Sequence, residues 1–184
     1  MDALKRSLIL AAILWFVGMI AGVSAILVPA GAPLENGIPV MPTPVVEPSR
    51  AFVSIMGRNL GVYGVLLGGL LSAGISSALG LLYNGVALGW TLGLAWTAGV
   101  TPIRVFVGLA PHGVLELPAL LAAGAIGLQG GPLLSSWLRG RLVLPLGQAR
   151  MMLLVAAAGF LAVVVAAAVE AWVSLGAVRP PAGF

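Results

Sequence analysis

Five long apolar runs, separated by short polar or proline-rich stretches, dominate the pattern along this chain. From Ser7 to Val28 no residue is charged, and a run of that length suffices for the about 20 apolar residues needed to cross hydrocarbon. Lys5 and Arg6 precede it as a signal peptide's basic region would, but the apolar core exceeds the about 7–15 residues of a cleavable signal. It reads as a signal anchor that stays, span 7–28. Residues 29–57 read as a proline-rich outer loop, because Pro29, Pro33, Pro39, Pro42, Pro44 and Pro48 favour extended, polyproline-like backbone. Within it Ile38, Val40 and Met41 offer apolar contacts to a membrane surface or partner. Spans over 60–82 and 84–100 follow, with Tyr83 and Asn84 as the tight inner turn of an antiparallel helical hairpin. A fourth span covers 111–129 and a fifth 151–175. Between them Leu133, Leu134, Trp137, Leu138 and Leu142 recur at helical spacing beside Arg139 and Arg141, which predicts an interfacial amphipathic helix over 132–148. The fold class is all-α: a single polytopic helical membrane bundle of about five transmembrane helices plus that surface helix.

Composition fixes the solvent. With 60% hydrophobic and 8% charged residues and a mean hydropathy of +1.13, the chain is no ordinary soluble domain, where roughly a quarter of residues are charged. The lipid bilayer is therefore its first partner. Zero cysteines exclude a disulfide framework, a thiolate metal site and a cysteine nucleophile. The net charge of +4 rests on nine Lys and Arg scattered without a basic run, so no nucleic acid is implied. Counted by the positive-inside rule, Lys5, Arg6, Arg139, Arg141 and Arg150 balance against Arg50, Arg58, Arg104 and Arg179. That distribution favours a plasma-membrane protein with a cytoplasmic N-terminus and an outer C-terminus.

Glycine is abundant, at 26 residues, and much of it recurs every fourth position: Gly57 and Gly61, Gly64 and Gly68, then Gly85, Gly89 and Gly93. Such spacing makes small-residue faces through which membrane helices approach closely. Gly61, Gly64, Gly68, Gly85, Gly89 and Gly93 are thus candidates either for packing within one protomer or for the interface of a homodimer or higher homo-oligomer. Ser72, Ser76 and Ser77 add hydroxyls able to bond across helices.

The stretch Pro111-His112-Gly113-Val114-Leu115-Glu116-Leu117-Pro118 holds the single histidine and one of five acids. Four residues apart, His112 and Glu116 share a helix face, and an ionisable group in a span is a functional-site hypothesis by default. With the N-terminus inside, Arg58, Asn59, His112 and Glu116 fall near the outer leaflet as one intramembrane polar cluster, Arg58 serving as counter-charge to Glu116. Tyr83 and Asn84 fall near the inner leaflet. The cluster fits a polar network fixing helix register, a proton- or ion-linked site, or a metal site. Catalysis lacks parts. One histidine cannot supply His-Glu-x-x-His, no Gly-x-Ser-x-Gly occurs, and the glycines lack the Lys-Ser or Lys-Thr of a phosphate loop. No enzyme activity, resident metal or cofactor is expected.

Asn59 before the glycine-rich run Gly61 to Gly80, Tyr83-Asn84-Gly85, and Pro111-His112-Gly113-x-x-Glu116-Leu117-Pro118-Ala119 leading into Ala123-Gly124-Ala125-x-Gly127-Leu128 together resemble the stage II sporulation protein M family over about residues 52–175. The resemblance implies a five-span membrane protein and, in spore formers, a membrane partner of peptidoglycan-remodelling enzymes. Two functions of different class follow. One is a non-catalytic scaffold or assembly factor that oligomerises and recruits envelope or membrane-remodelling proteins. The other is an oligomeric channel, transporter or lipid scramblase with His112 and Glu116 at its mouth.

Overall fold

The computed structural model describes residues 2–27, 47–141 and 144–174, with the side chains of residues 2, 107–112 and 173–174 left aside. The expectations for residues 29–46, and for the part of the surface helix at 142–143, lie outside the described residues. The regular structure of the described part is all helical: α1 (Asp2–Leu27), α2 (Pro48–Leu67), α3 (Ile75–Thr97), α4 (Pro102–Leu128), α5 (Gly130–Leu138) and α6 (Leu146–Val169). Five stretches are long and apolar enough to cross a membrane, Ala3–Leu27, Pro48–Leu70, Ile75–Thr97, Gly113–Leu138 and Leu146–Trp172, as the hydrophobic pattern predicts.

Their boundaries differ from the sequence reading at several places. Helix α2 starts at Pro48, twelve residues before the expected span at 60, so the last part of the anticipated loop is helix. Pro48 occupies the first helical turn, where a missing N–H is no loss; the run of prolines ending at Pro48 had made residues up to 57 read as loop. The hairpin turn lies at Gly68–Gly74, not at Tyr83-Asn84, which sit inside α3. A 3-10 turn over Gly68–Leu70 is followed by Ala73 at φ 54° and Gly74 at φ 91°. The second of these left-handed positions suits glycine, which carries no Cβ penalty there. Leu70 and Leu71 disguise the turn as more span, yet Leu71 is 95% exposed. Finally, α4 begins with Pro102 rather than Pro111, and the stretch expected as one surface helix over 132–148 divides between α5, which follows α4 after a break at Gln129 and falls within the apolar stretch Gly113–Leu138, and the start of α6 at Leu146.

Packing depends on glycines, because lipid supplies little hydrophobic force between helices. The most extensive contact joins α1 to α3, and it is reciprocal. A Cβ on Gly18 or Gly22 would lie 2.3 Å from the carbonyl oxygen of Leu82 or Val86, and one on Gly85 or Gly89 would lie 2.1 or 2.0 Å from that of Trp15 or Met19. Each helix thus presses glycines against the other's backbone. Gly93 meets Ile26 in the same seam. The four-residue repeat of α3 therefore serves packing within the protomer.

A second knot closes the turn end of the bundle. A Cβ on Gly127 would strike the Leu66 carbonyl, and one on Gly130 the Gly69 carbonyl, so α4 lies directly on the end of α2. The buried Ser77 hydroxyl donates to the Leu66 carbonyl at 2.5 Å. Gln129, 3% exposed, donates from Nε2 to the Ala3 carbonyl at 3.2 Å and to the Ser7 hydroxyl. Between α2 and α6, the buried Tyr63 hydroxyl donates to the Ala156 carbonyl at 2.6 Å, its ring resting in the notch at Gly159.

Candidate functional site

Besides Ser77 and Gln129 at the turn end, polar side chains meet in pairs farther along the bundle. Asn59 of α2 donates from Nδ2 to Oε2 of Glu116 on α4 at 3.0 Å. The Trp15 indole of α1, 4% exposed, donates from Nε1 to Oδ1 of Asn84 on α3 at 3.1 Å. Trp15 and Asn59 are the central residues of the candidate spans Ala3–Leu27 and Pro48–Leu70, and Asn84 is two residues from Val86, the centre of Ile75–Thr97. Glu116 faces these midpoints. It sits near the middle of α4, though it is only the fourth residue of the apolar stretch Gly113–Leu138, and it borders one cavity with Asn84, which the expected separation by leaflet did not foresee. The misplaced turn and the late start assigned to α4 together produced that separation.

Trp15, Asn84, Thr91 and Glu116 line one side of a cavity of about 580 Å³, completed mainly by apolar groups of α3 and α4 such as Leu88, Val114 and Leu120. Pro118 also lines it; having no N–H, it denies the Val114 carbonyl its usual helical donor. A neighbouring cavity of about 570 Å³ is walled by Val23, Leu27, Leu92, Trp96, Val105 and other apolar residues, and Phe106 borders both. Among the described residues, neither lining contains Lys or Arg.

Of the anticipated cluster, Asn59 and Glu116 meet. His112 lies one turn before Glu116 in α4, its side chain outside the described residues. Arg58 does not join them: its side chain is exposed, and the ion pair found among the described residues is the exposed Arg50–Glu47 contact at 3.9 Å. Successive helical residues point about 100° apart, so with Asn59 turned toward α4, Arg58 faces away. Tyr83 is 74% exposed while its neighbour Asn84 turns inward, for the same reason. Among the described residues no group of three His, Cys, Asp or Glu could hold a metal. Sequence reasoning missed Trp15. Its signal was position, since an indole in the middle of a span, away from the interfacial belts where Trp gathers, needs a buried acceptor for its N–H.

The family model for stage II sporulation protein M matches residues 11–175. The chain belongs to the stage II sporulation protein M family. The match extends to the N-terminal side of the motifs that suggested it, taking in most of α1. An uncharacterized protein of the archaeon Methanocaldococcus jannaschii is 30% identical over 79 residues, 42% of this chain and 44% of that relative; the match thus spans less than half of the relative's length. No solved structure matches. In this stage II sporulation protein M family member, motif residues scattered along the sequence (Asn59, Asn84, Gly85, Glu116 and Pro118) converge on the α1–α3 seam and the cavity beside it.

Proposed function

We propose that this protein is a non-catalytic intramembrane assembly factor that docks a partner helix on the outer face of α2. The observation that carries this reading is Arg58. It is exposed one residue from the centre of a candidate span, where a guanidinium facing hydrocarbon costs at least about 2.5 kcal/mol. Beside it, Gly57, Gly61 and Gly64 have nothing within 4 Å of an added Cβ. A helix lying on these glycines can approach closely, and a carboxylate on it would satisfy Arg58. A second copy crossing through the same glycines would bring two guanidinium groups together, so charge favours a different protein, a membrane or envelope component, over the homo-oligomer expected from glycine spacing. A plasma-membrane location with the N-terminus inside fits the distribution of Lys and Arg in the loops.

A photoreactive amino acid at position 61 in native membranes tests this. The expected product is a protein adduct that disappears in Arg58→Leu. Lipid adducts alone, unchanged by Arg58→Leu, would overturn the proposal, and an adduct between two copies would replace the foreign partner with a homo-oligomer.

A second reading, an oligomeric channel, transporter or lipid scramblase, rests on Glu116 bordering a mid-span cavity. It requires passage of ions, protons or lipid in proteoliposomes that is lost in Glu116→Gln while folding is retained. Absence of flux in well-folded protein would remove it.

A further inference from the structure

We infer that the turn end of the bundle carries a basic collar that binds anionic phospholipid head groups, with α5 lying at the membrane surface as its anchor. Helix α2, 20 residues long, rises about 30 Å, the thickness of the hydrocarbon core, so the Gly68–Gly74 turn that follows it lies at one membrane surface. Helix register brings five cations to that level. Between α1 and α3 the pairs Gly18–Leu82 and Gly22–Val86 keep one parallel register, which, carried back to the start of α1, sets Lys5 and Arg6 beside the turn. The bonds from Gln129 to Ala3 and Ser7 fix the same level. Helix α6 runs antiparallel to α2, Ala156 meeting Tyr63 and Trp172 meeting Phe52, and that register sets Arg150 beside the turn as well. Arg139 and Arg141 follow α5, which starts with Gly130 and Gly131 against the carbonyls of Gly69 and Ala73 and extends about 13 Å.

Charge and apolar exposure coincide there. Lys5, Arg6, Arg139, Arg141 and Arg150 are all exposed, and among the described residues none of them forms an ion pair. Within the turn, α5 and the first turns of α1 and α6, Asp2 is the one acid. Leu134, Trp137 and Leu138, three and four residues apart, make an exposed stripe on α5, while Leu71 of the turn and Leu146 at the start of α6 are exposed too. Apolar side chains beside basic ones suit the boundary between acyl chains and head groups, where amphipathic helices rest and Trp gathers. The end of α5 is closed by Gly140 at φ 66°: its N–H and that of Arg141 donate to the carbonyls of Trp137 and Ser136, each at 2.9 Å, a Schellman closure. Arg139 and Arg141 thus flank one defined turn. Four of the five cations are arginine, whose planar fork meets phosphate oxygens through two parallel hydrogen bonds. Each basic residue near an anionic surface strengthens attraction about fivefold. A zwitterionic head group brings its own ammonium beside the phosphate, so the collar discriminates by net charge.

Native mass spectrometry of the purified full-length protein in low-salt buffer, with equimolar dioleoyl phosphatidylglycerol and dioleoyl phosphatidylcholine, tests the inference. Phosphatidylglycerol adducts should predominate, and Arg139→Gln combined with Arg141→Gln should lower their excess at least about fivefold. Arg139→Lys combined with Arg141→Lys, which keeps the charge, should retain most of it. Arg104→Gln, at the opposite end of the bundle, is the control and should leave the excess unchanged. No excess of phosphatidylglycerol in the wild type, or an equal loss in Arg104→Gln, would overturn the inference. Displacement of the lipid by polyglutamate at matched charge concentration would overturn it in favour of an acidic protein segment.

Discussion

Replacing Gly85 with alanine probes the α1–α3 seam most directly. The new methyl carbon would lie 2.1 Å from the Trp15 carbonyl oxygen, whereas even favourable carbon–oxygen contacts sit at about 3.3–3.6 Å. The helices must therefore part by about 1.2 Å along the seam or shift sideways. A gap of about 0.5–1 Å already forfeits a quarter to a half of a dispersion contact, and in lipid no hydrophobic term replaces what is lost. Overpacking of this sort costs about 1–3 kcal/mol. It should also loosen the Trp15–Asn84 hydrogen bond one residue away, shifting the emission attributable to Trp15. Gly61→Ala is the matched control, because its Cβ meets nothing; it should fall within about 0.5 kcal/mol of wild type. Equilibrium unfolding in mixed detergent and SDS measures both. A Gly85→Ala protein as stable as wild type, or equal losses for the two variants, would refute the interlocked seam.

Asn59→Leu removes the amide donor to Glu116 and should destabilise by about 1–3 kcal/mol, whereas Asn59→Gln, which keeps an amide, should recover part of that loss; the same unfolding assay separates them. Tyr63→Phe removes the bond to Ala156 and should lower stability by about 0.5–1.5 kcal/mol, less than Gly159→Val, whose side chain would occupy the space of the Tyr63 ring. Arg58→Leu should leave stability of the isolated protein unchanged or raised, since Arg58 makes no ion pair among the described residues; a loss above about 1 kcal/mol would mean that Arg58 acts inside the protomer.

Five apolar stretches, the helical class and the family were legible because crossing lipid demands runs that no soluble pattern imitates. Boundaries were less so. Arg58 and Asn59 look like the polar start of a span to any reading that scores polarity alone, and nothing local says that one would turn outward and the other toward Glu116. The turn carried its signal in Gly74, but Leu70 and Leu71 hid it, while Tyr83-Asn84 drew attention as the polar break. Of the interlocking glycines, Gly85 and Gly89 stood out by their spacing. Gly18 and Gly22 have the same spacing, but sat unremarked in an uninterrupted apolar run. Asn59 and Glu116 were grouped from their residues, but with Arg58 as the expected partner of Glu116, and the association of Asn84 with the same cavity needed three-dimensional register.

The reciprocal glycines fasten α1 and α3 into one stiff plank, and Asn59–Glu116 and Tyr63–Ala156 join α2, α4 and α6 into another. Among the described residues, the side-chain hydrogen bonds that bridge the two planks are those of Ser76, Ser77 and Gln129, all near the Gly68–Gly74 turn. The cavities lie away from that turn, one reaching Val100 and Pro102 at the opposite end of α3. This is the layout of a clothes-peg. Polar ties between the planks thus concentrate at one end, while elsewhere α4 rests on α1 and α3 through a shared core, so unfolding is expected to open the end away from Gly74 first.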